Sequence, residues 1–450
     1  MVDKIIELLH EKNFSQMKEI LSAINPVDLV DYLCAIPKNE LLLVFRLLPK
    51  ELAAETFVEM DPDMQMILIS AFSDNELHDM LDELFVDDTV DIIEEMPASV
   101  VKRILRQADA KTRKEINLIL AYPEDSAGSI ITTEYVDLKK DLSVSDAFKR
   151  IKKIGLDKET IYTAYVTDAR RKLLGVVSAK SLMLSEPEQT IGEIMDENII
   201  FAYTTDSKES VIQLFDKYDV LALPVVDTEN RLIGIITVDD IIDVMQEETT
   251  EDIEKMAAIV PTDKTYLKTG VFETVKARIP WLVFLMLAAT ITGWIITAFE
   301  SALAVQAVLI AFIPMIMNTG GNSGSQSSVT VIRALSLGDI DFKDIFKVFF
   351  KEFRVSIICG AILAVANFVK IILLDNLLLG SNISYQVSFV VSLTLLGTVV
   401  FAKIVGCLLP IFAKKIGLDP TVMASPFITT LVDTISLLIY FTIASIFLTI

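Results

Sequence analysis

Apolar residues recur at helical spacing through the first 120 residues, and prolines separate the segments that carry them. PVDLVDYLCAIP and KELAAETFVEMDP are two such segments, each long enough for a short helix. Pro26, Pro37, Pro49 and Pro62 follow one another at intervals of 11 to 13 residues, and each can begin a helix or end the preceding one. Such punctuation is typical of helical hairpins stacked into a superhelix. We therefore predict an all-α, helical-repeat domain over residues 1–125.

From residue 126 the pattern changes to short alternating strands mixed with helices, in the order β-α-β-β-α, and this order occurs twice. Aligning LLGVVSAKSL (173–182) with LIGIITVDDI (232–241) places Gly175 over Gly234, 59 residues apart. The repeat resembles a tandem pair of cystathionine β-synthase-type (CBS) domains. We predict this α/β pair over residues 126–253.

The resemblance to CBS pairs implies ATP or another adenosine nucleotide as a ligand. Gly234, Thr237 and Asp239 match the nucleotide motif of that family. The first repeat has Ser178 and Lys180 at the corresponding places, so that one ribose site is expected rather than two. The alternative is structural, because Thr237 and Asp239 also suit the cap of the helix that follows.

Residues 254–278 are predicted to form a helix that links the CBS pair to a lipid bilayer. Beyond them, five apolar segments have the roughly 20 residues needed to span a hydrocarbon core. They cover residues 279–299, 303–335, 353–374, 385–412 and 421–448. Basic residues cluster at alternate ends of these segments, and the N-terminus lacks the apolar core of a signal peptide. We expect a multi-pass protein of the cell membrane, with a cytoplasmic N-terminus and an external C-terminus.

A polar, glycine-rich stretch, PMIMNTGGNSGSQ (314–326), interrupts the second apolar segment. Backbone groups freed from a helix in hydrocarbon cost several kcal/mol unless protein or water satisfies them, so this break is expected to line a path or pack against a helix. Asp433 lies near the middle of the last segment, and an ionised carboxylate there requires a cation nearby. Lys403, in the fourth segment, lies at comparable depth, and it could pair with Asp433, snorkel or be neutral.

The charge of the chain divides sharply near residue 270. The formal net charge is −22, and residues 1–270 account for −24 of it while residues 271–450 contribute +2. An acidic cytoplasmic half argues against nucleic acid and favours cations as partners. Three scattered cysteines and two histidines make a disulfide framework, a zinc site or a Ser-His catalytic triad improbable. Without a nucleophile–base pair or a catalytic ligand cluster, the chain is not expected to be an enzyme.

Eight carboxylates crowd into sixteen residues at the end of the CBS repeat. They are Asp239, Asp240, Asp243, Glu247, Glu248, Glu251, Asp252 and Glu254. Like charges one turn apart destabilise a helix, so the group favours a counter-charge. Mg²⁺, a hard cation with oxygen ligands, fits this requirement, as would a basic partner surface. A solvated acidic face is the third possibility.

The order of domains and two membrane motifs resemble the MgtE family of magnesium channels over essentially the whole chain. The motifs are PMIMNTGGNSGSQ (314–326), followed by VIRAL (331–335), and DPTVMASPFITTLVDTISLLIY (419–440). The resemblance implies a homodimer whose pore lies at the subunit interface, lined by the second and fifth spans. Asp433 falls on the pore aspartate of the family, and the pore-lining break falls on Gly320, Gly321, Asn322 and Gly324.

The same resemblance implies regulatory Mg²⁺ ions between the soluble domains. The matching positions are Glu55, Asp87, Asp91, Glu209, Asp219, Asp240, Asp243, Glu248, Glu251 and Asp252. We therefore expect a Mg²⁺-selective channel that closes when cytosolic Mg²⁺ bridges acidic surfaces. A secondary transporter that couples divalent cations to H⁺ or Na⁺, or a membrane-anchored nucleotide-sensing module, are the alternatives. Lys403 departs from the simplest arrangement beside a cation pore.

Overall fold

The computed structural model describes residues 2–262, 266–267, 269–300, 306–423 and 425–448. It contains two compact units, Met1–Val244 and Met245–Ile450, which are treated separately below. The division falls inside one helix, Val238–Met256, that passes from the first unit into the second.

The first unit begins with ten short helices, which confirms the predicted helical domain. Helices α1 to α10 are Val2–His10, Phe14–Leu21, Pro26–Cys34, Lys38–Phe45, Lys50–Val58, Pro62–Ala71, Asp74–Leu81, Val86–Glu94, Ala98–Gln107 and Ala110–Ile119. Pro26 and Pro62 stand in the first turn of α3 and α6, where their missing N–H groups cost no hydrogen bond. Ser73 begins α7 with a reciprocal capping box to Glu76.

Two small sheets follow, and each repeats the same topology. Strands β1 to β6 are Val136–Leu138, Thr163–Thr167, Leu173–Ser178, Ala202–Tyr203, Ala222–Val226 and Leu232–Thr237. Helices α11 to α15 are Val144–Ile154, Ala179–Leu184, Ile191–Ile194, Lys208–Tyr218 and Val238–Met256. In each sheet the first strand is parallel to the second, and the second is antiparallel to the third. Gly175 pairs with Val166 and Gly234 pairs with Val225, so the repeat predicted from these glycines is confirmed.

One apolar core runs through much of the first unit. It extends from Ile5 in α1 to Val244 in α15, and it includes Phe57, Leu68 and Ile236, none of which is more than 2% exposed. Burial on this scale stabilises a fold by about 25 cal/mol per Å² of apolar surface removed from water. The helical domain and the second CBS repeat are therefore packed as one body within this unit.

The second unit contains five long helices in its described part. Helices α16 to α20 are Val271–Ala298, Ile313–Ser336, Ile345–Lys370, Tyr385–Lys415 and Ser425–Leu448. A π-helical turn, Ile371–Leu378, extends α18. By length and hydropathy, four of the described helical stretches can cross a membrane: Val271–Ala298, Phe342–Leu378, Tyr385–Lys415 and Pro420–Leu448. The polar helix α17 has sufficient length, with 24 residues, but lies outside that group.

Two expectations differ from the observed helices. The predicted linking helix 254–278 is divided, because α15 ends at Met256, Ala258 adopts a left-handed φ of 58°, and α16 begins only at Val271. The glycine-rich stretch 314–326 does not break its span, since it lies inside the continuous helix α17. Its glycines serve close packing rather than a turn, as their surroundings show. The start of the predicted span 303–335, namely residues 303–305, lies outside the described residues.

Candidate ion path and regulatory carboxylates

The glycines of α17 face the neighbouring helices α19 and α20. A Cβ atom on Gly320 would lie 2.6 Å from Thr398 Cγ2, and one on Gly324 would lie 2.8 Å from Ile428 Cγ2. A Cβ atom on Gly321 would lie 2.8 Å from Thr429 Cγ2. Small residues let helices in a membrane approach closely, and this is their evident use here. The side of α17 that carries these glycines is buried within one chain.

The shortest of these glycine contacts joins two glycines on different helices. A Cβ atom on Gly406 of α19 would collide with the carbonyl oxygen of Gly324, and the backbone of α17 lies directly behind that oxygen. At this point α17 touches α19 through main chain, and further along Val331 and Leu335 of α17 pack against Cys407 and Ile411 of α19.

The exposed face of α17 is lined by carboxamides. Asn318, Asn322 and Gln326 follow one another at intervals of four residues and are all exposed. Asn322 Nδ2 donates to Asn318 Oδ1 at 3.4 Å, so the two amides point along the same face. Asn322 was identified from the family motif, but Asn318 and Gln326 were not. Their four-residue spacing was the signal that could have identified them, once the stretch was read as a helix.

Asp433 lies in α20, and one of its carboxylate oxygens lacks a partner. Its Oδ1 atom is buried without a hydrogen bond among the described residues. The hydroxyls nearby cannot supply one, because Thr429 donates to Ser425 O at 2.7 Å and Thr430 donates to Pro426 O at 2.9 Å. An unpaired buried carboxylate is costly, so this position fits a site that a cation fills.

Lys403 is buried elsewhere in the unit. Its ammonium group donates to Ser327 Oγ at 3.4 Å, and Ser327 in turn donates to Glu352 Oε2 at 2.7 Å. The contacts of the described residues thus connect Lys403 to Glu352 through a serine. The alternative that Lys403 pairs with Asp433 receives no support from this geometry.

In the first unit, carboxylates of the helical domain and of the CBS repeats influence one another strongly. Burial raises the pKa of Asp87 well above its ordinary value, with Asp88 and Asp240 contributing next. Burial, followed by the charge of Asp240, raises the pKa of Asp88 to about 7. Burial also raises the pKa of Glu159 to about 8, with Asp240 and Asp88 adding to it, and raises that of Asp240. Glu134 contributes repulsion to several of these groups.

Four of these carboxylates are short of compensating positive charge. They are called the acidic cluster below: Asp87, Asp88, Glu159 and Asp240. The Oδ1 atom of Asp87 is buried without a hydrogen bond among the described residues. A divalent cation is the partner that such repelling oxygens favour. Asp87 and Asp240 were predicted from the resemblance, whereas Asp88 and Glu159 were not, because the sequence does not show which surfaces meet.

The hydroxyl of Thr237 donates to the carboxylate of Asp240, three residues later, at the start of α15. The carboxylate of Asp240 also accepts from the backbone N–H of Thr237, which is the return contact of a capping box. A Cβ atom on Gly234 would lie 2.6 Å from the carbonyl oxygen of Thr132, so this glycine permits the close approach of the strand entering the first repeat. Structural roles thus account for both residues, and nucleotide contacts by Gly234, Thr237 and Asp239 remain a prediction.

The end of α15 belongs to the second unit, and there two predicted ligands have protein partners. Lys255 Nζ lies 2.7 Å from Glu251 Oε1 and 2.9 Å from Asp419 Oδ2. Ser336 Oγ donates to Asp252 Oδ2 at 3.3 Å. Burial raises the pKa of Asp252, and the charge of Asp419 adds to this effect. A lysine therefore neutralises this part of the acidic helix.

The other predicted regulatory residues lie at the surface of the units that hold them. Glu248 is half-buried, and the other five are exposed: Glu55, Asp91, Glu209, Asp219 and Asp243. Within the described part of the chain, no three Asp, Glu, His or Cys side chains come together as a metal site. Metal coordination by this set remains a prediction.

Three regions of the sequence match known families. Residues 313–443 match MgtE, described as a divalent cation transporter, and residues 24–125 match the MgtE intracellular N domain. Residues 191–247 match the CBS domain.

Relatives extend this similarity over the whole chain. The magnesium transporter MgtE of Thermus thermophilus is 35% identical over 446 residues, which is 98% of this chain and 97% of that protein. The magnesium transporter MgtE of Bacillus subtilis is 34% identical and covers 99% of this chain and 97% of its own length. A crystal structure of the cytosolic domain of the Mg²⁺ channel MgtE in complex with ATP is 33% identical, with a TM-score of 0.52, and covers 54% of this chain and 100% of that one. The chain therefore belongs to the MgtE family of magnesium transporters.

Proposed function

We propose that this protein is a Mg²⁺ channel whose ion path lies between two copies of the chain. The observation that carries the proposal is the buried, unpartnered Oδ1 of Asp433. Two copies related by a two-fold axis would bring two such carboxylates to one cation. The carboxamides of Asn318, Asn322 and Gln326, exposed on the single chain, would supply polar walls along the same path.

The chemistry of this path suits an ion that keeps its water. Mg²⁺ dehydrates reluctantly and is usually held through one or two carboxylates and several waters. Carboxamides both donate and accept hydrogen bonds, so they can contact the hydration shell without replacing it. Gly320, Gly321 and Gly324 serve the path indirectly in this proposal, because their Cα positions face α19 and α20.

Replacement of the proposed pore carboxylate tests this assignment. Asp433→Asn should abolish Mg²⁺ uptake into proteoliposomes, because the amide keeps the shape of the side chain but not its charge. The matched control is Asp339→Asn, which changes an exposed aspartate of the same unit and should leave uptake unchanged. Normal uptake by folded Asp433→Asn protein would overturn the assignment.

Closure by cytosolic Mg²⁺ is the second part of the proposal. The acidic cluster supports it, since carboxylates from the helical domain and from both CBS repeats repel one another there. Mg²⁺ bound among them, and among the surface carboxylates predicted above, would draw these domains together. An ion that binds the compact state more tightly shifts the population towards it and, through α15 and α16, towards a closed path.

Currents through the full-length protein test this gating. Replacing Asp240, Asp243, Glu248, Glu251 and Asp252 by Asn or Gln should leave currents that cytosolic Mg²⁺ no longer inhibits. Glu19→Gln, an exposed acidic residue of α2, is the control and should retain inhibition. If cytosolic Mg²⁺ inhibited the variant with all five substitutions at the same concentrations that inhibit the wild type, the gating mechanism would be refuted.

A channel and a secondary transporter make different predictions for driving force. In the channel that we propose, Mg²⁺ flux at fixed voltage does not respond to an imposed pH or Na⁺ gradient, whereas a coupled transporter would respond.

ATP or another adenosine nucleotide at the CBS pair is a further proposal, supported by the ATP complex of the related cytosolic domain. Calorimetric titration of the full-length protein with ATP tests it.

A further inference from the structure

The membrane helices hold a buried charge that the proposed ion path does not use. Lys403 is only 6% exposed and lies in α19, eleven residues before Lys414. At 1.5 Å per residue this is roughly 16 Å from that basic end, and therefore within a hydrocarbon core of about 30 Å. A charge held at such depth is costly and is retained only with partners or water.

Three helices combine to accommodate this ammonium group. Lys403 on α19 donates to Ser327 on α17, and Ser327 donates to Glu352 on α18. The proton of the serine hydroxyl is thus directed towards the carboxylate while its lone pairs face the ammonium group. A single hydroxyl cannot satisfy three ammonium protons. The rest of their environment is a cleft lined by both polar and apolar side chains.

The cleft has a volume of about 370 Å³ and lies between α17 and α18, with Lys403 in its lining. Thr319, Asn322, Ser323 and Gln326 supply polar groups, and Cys359 lies on the opposite wall. A water molecule occupies about 30 Å³, so the cleft has room for several waters around the ammonium group.

The connection acts on the same helix that carries the carboxamide face. Ser327 is one residue after Gln326 and three after Gly324, where α17 meets the backbone of α19. The glycine contact sets the distance between these helices, and the link from Ser327 to Lys403 and Glu352 adds directional contacts on this side of α17. Rotation of α17 about its axis would separate Ser327 from Lys403 and Glu352, and it would move Asn322 and Gln326 by the same angle.

We propose that Lys403, through Ser327 and Glu352, is a positioning residue that sets the rotation of α17 and hence the placement of its carboxamides along the ion path. This inference rests on the proposed function. Lys403 lines the cleft that Asn322 and Gln326 also line, and in this proposal it positions those carboxamides and does not itself bind the transported ion. Its charge is balanced by Glu352, so the pair leaves the attraction of Mg²⁺ to Asp433 intact.

Transport by folded variants in proteoliposomes tests the proposal. Ser327→Ala removes the hydroxyl that joins the two charges, and Lys403→Met removes the ammonium group. Each should lower maximal Mg²⁺ uptake by about tenfold, the size of a coupling through one polar network. The cytosolic Mg²⁺ concentration that halves the current should not change. Ser328→Ala is the matched control, because the neighbouring hydroxyl donates to Met423 O instead and takes no part in the charge network.

Labelling of Cys359 adds a readout that loss of stability alone would not alter. Cys34 is replaced by serine, and Cys407 is fully buried, so Cys359 is the accessible thiol. With Lys403 present, an anionic methanethiosulfonate reagent should modify Cys359 faster than a cationic one of similar size. Lys403→Met should reverse this preference, and Lys403→Arg should preserve it together with uptake.

The outcomes separate this proposal from the channel itself. Wild-type uptake by both Ser327→Ala and Lys403→Met, or an unchanged reagent preference in Lys403→Met, would overturn the positioning role. If Lys403→Met does not fold, Ser327→Ala and Lys403→Arg decide the question. Loss of uptake in Asp433→Asn with normal uptake in these variants would refute the positioning role alone, whereas normal uptake in Asp433→Asn would refute the proposed path.

Discussion

The acidic cluster makes the stability of the protein depend on pH in an unusual direction. The pKa of Asp88 is raised to about 7 and that of Glu159 to about 8, chiefly by burial and then by Asp240. In the unfolded chain both groups titrate near their ordinary values of about 4. Between pH 6 and pH 8 the folded protein therefore releases protons that the unfolded chain has already lost. By linkage, the free energy of unfolding falls as pH rises through this window.

The size of the effect follows from these pKa values. A group with a folded pKa of 7 loses about 1.4 kcal/mol of stabilisation between pH 6 and pH 8, and one with a folded pKa of 8 loses about 2.3 kcal/mol. Because the two carboxylates repel each other and share neighbours, the sum of about 4 kcal/mol is an upper bound. Mg²⁺ bound by the ionised carboxylates should remove most of the loss at pH 8.

Thermal unfolding of the full-length protein in detergent tests this prediction. The unfolding temperature is measured at pH 6 and at pH 8, in each case with EDTA or with Mg²⁺. In EDTA the unfolding transition of the first unit should occur at a lower temperature at pH 8, and Mg²⁺ should raise that temperature more at pH 8 than at pH 6. The double variant Asp88→Asn, Glu159→Gln should flatten the dependence on pH, while Glu19→Gln should retain it. Stability that rises with pH in EDTA, or an unchanged slope in the double variant, would refute the reasoning.

Two further predictions concern the second unit. Gly406→Ala should reduce both the thermal stability and the Mg²⁺ uptake of the purified protein, because its methyl group would collide with Gly324 O. Gly397→Ala is the control and should be tolerated, since the nearest neighbour of its methyl group is 3.5 Å away. Equal behaviour of the two variants would exclude the close-packing argument. Lys255→Met should lower the free energy of unfolding by about 1 kcal/mol in low salt, measured by denaturation, since it leaves Asp419 without its ammonium partner. Lys255→Arg should restore most of that loss, and a Lys255→Met protein as stable as the wild type would count against the ion pair.

Sequence patterns predicted the architecture because each class of element carries a local signal. The prolines of the first domain mark helix starts, as Pro26 and Pro62 show. The paired glycines Gly175 and Gly234 identified the CBS repeat, because both stand at equivalent positions of the third strand of each sheet. Long apolar runs identified the membrane helices, since hydrocarbon leaves few alternatives to a helix.

The sites depended on contacts that no local pattern specifies. Asp88 and Glu159 are separated by 71 residues, and their mutual repulsion follows only from the packing of the helical domain on the CBS repeats. Glycine and polar residues together suggested a broken helix, but in α17 the glycines face other helices and the carboxamides remain outside. The partner of Lys403 was equally hidden, because a serine on a third helix intervenes.

The contact between Gly324 and Gly406 has a further consequence for how finely the path can be regulated. Side chains at a helix interface change rotamer within nanoseconds, and such changes widen or narrow a neighbouring channel continuously. Two main chains in direct contact have no rotamers, so the backbone of α17 that carries Asn318, Asn322 and Gln326 keeps its distance from α19. In the proposed dimer the coarse width of the path would then be set by the separation of the two copies. The carboxamides would adjust that width only over the length of their own side chains.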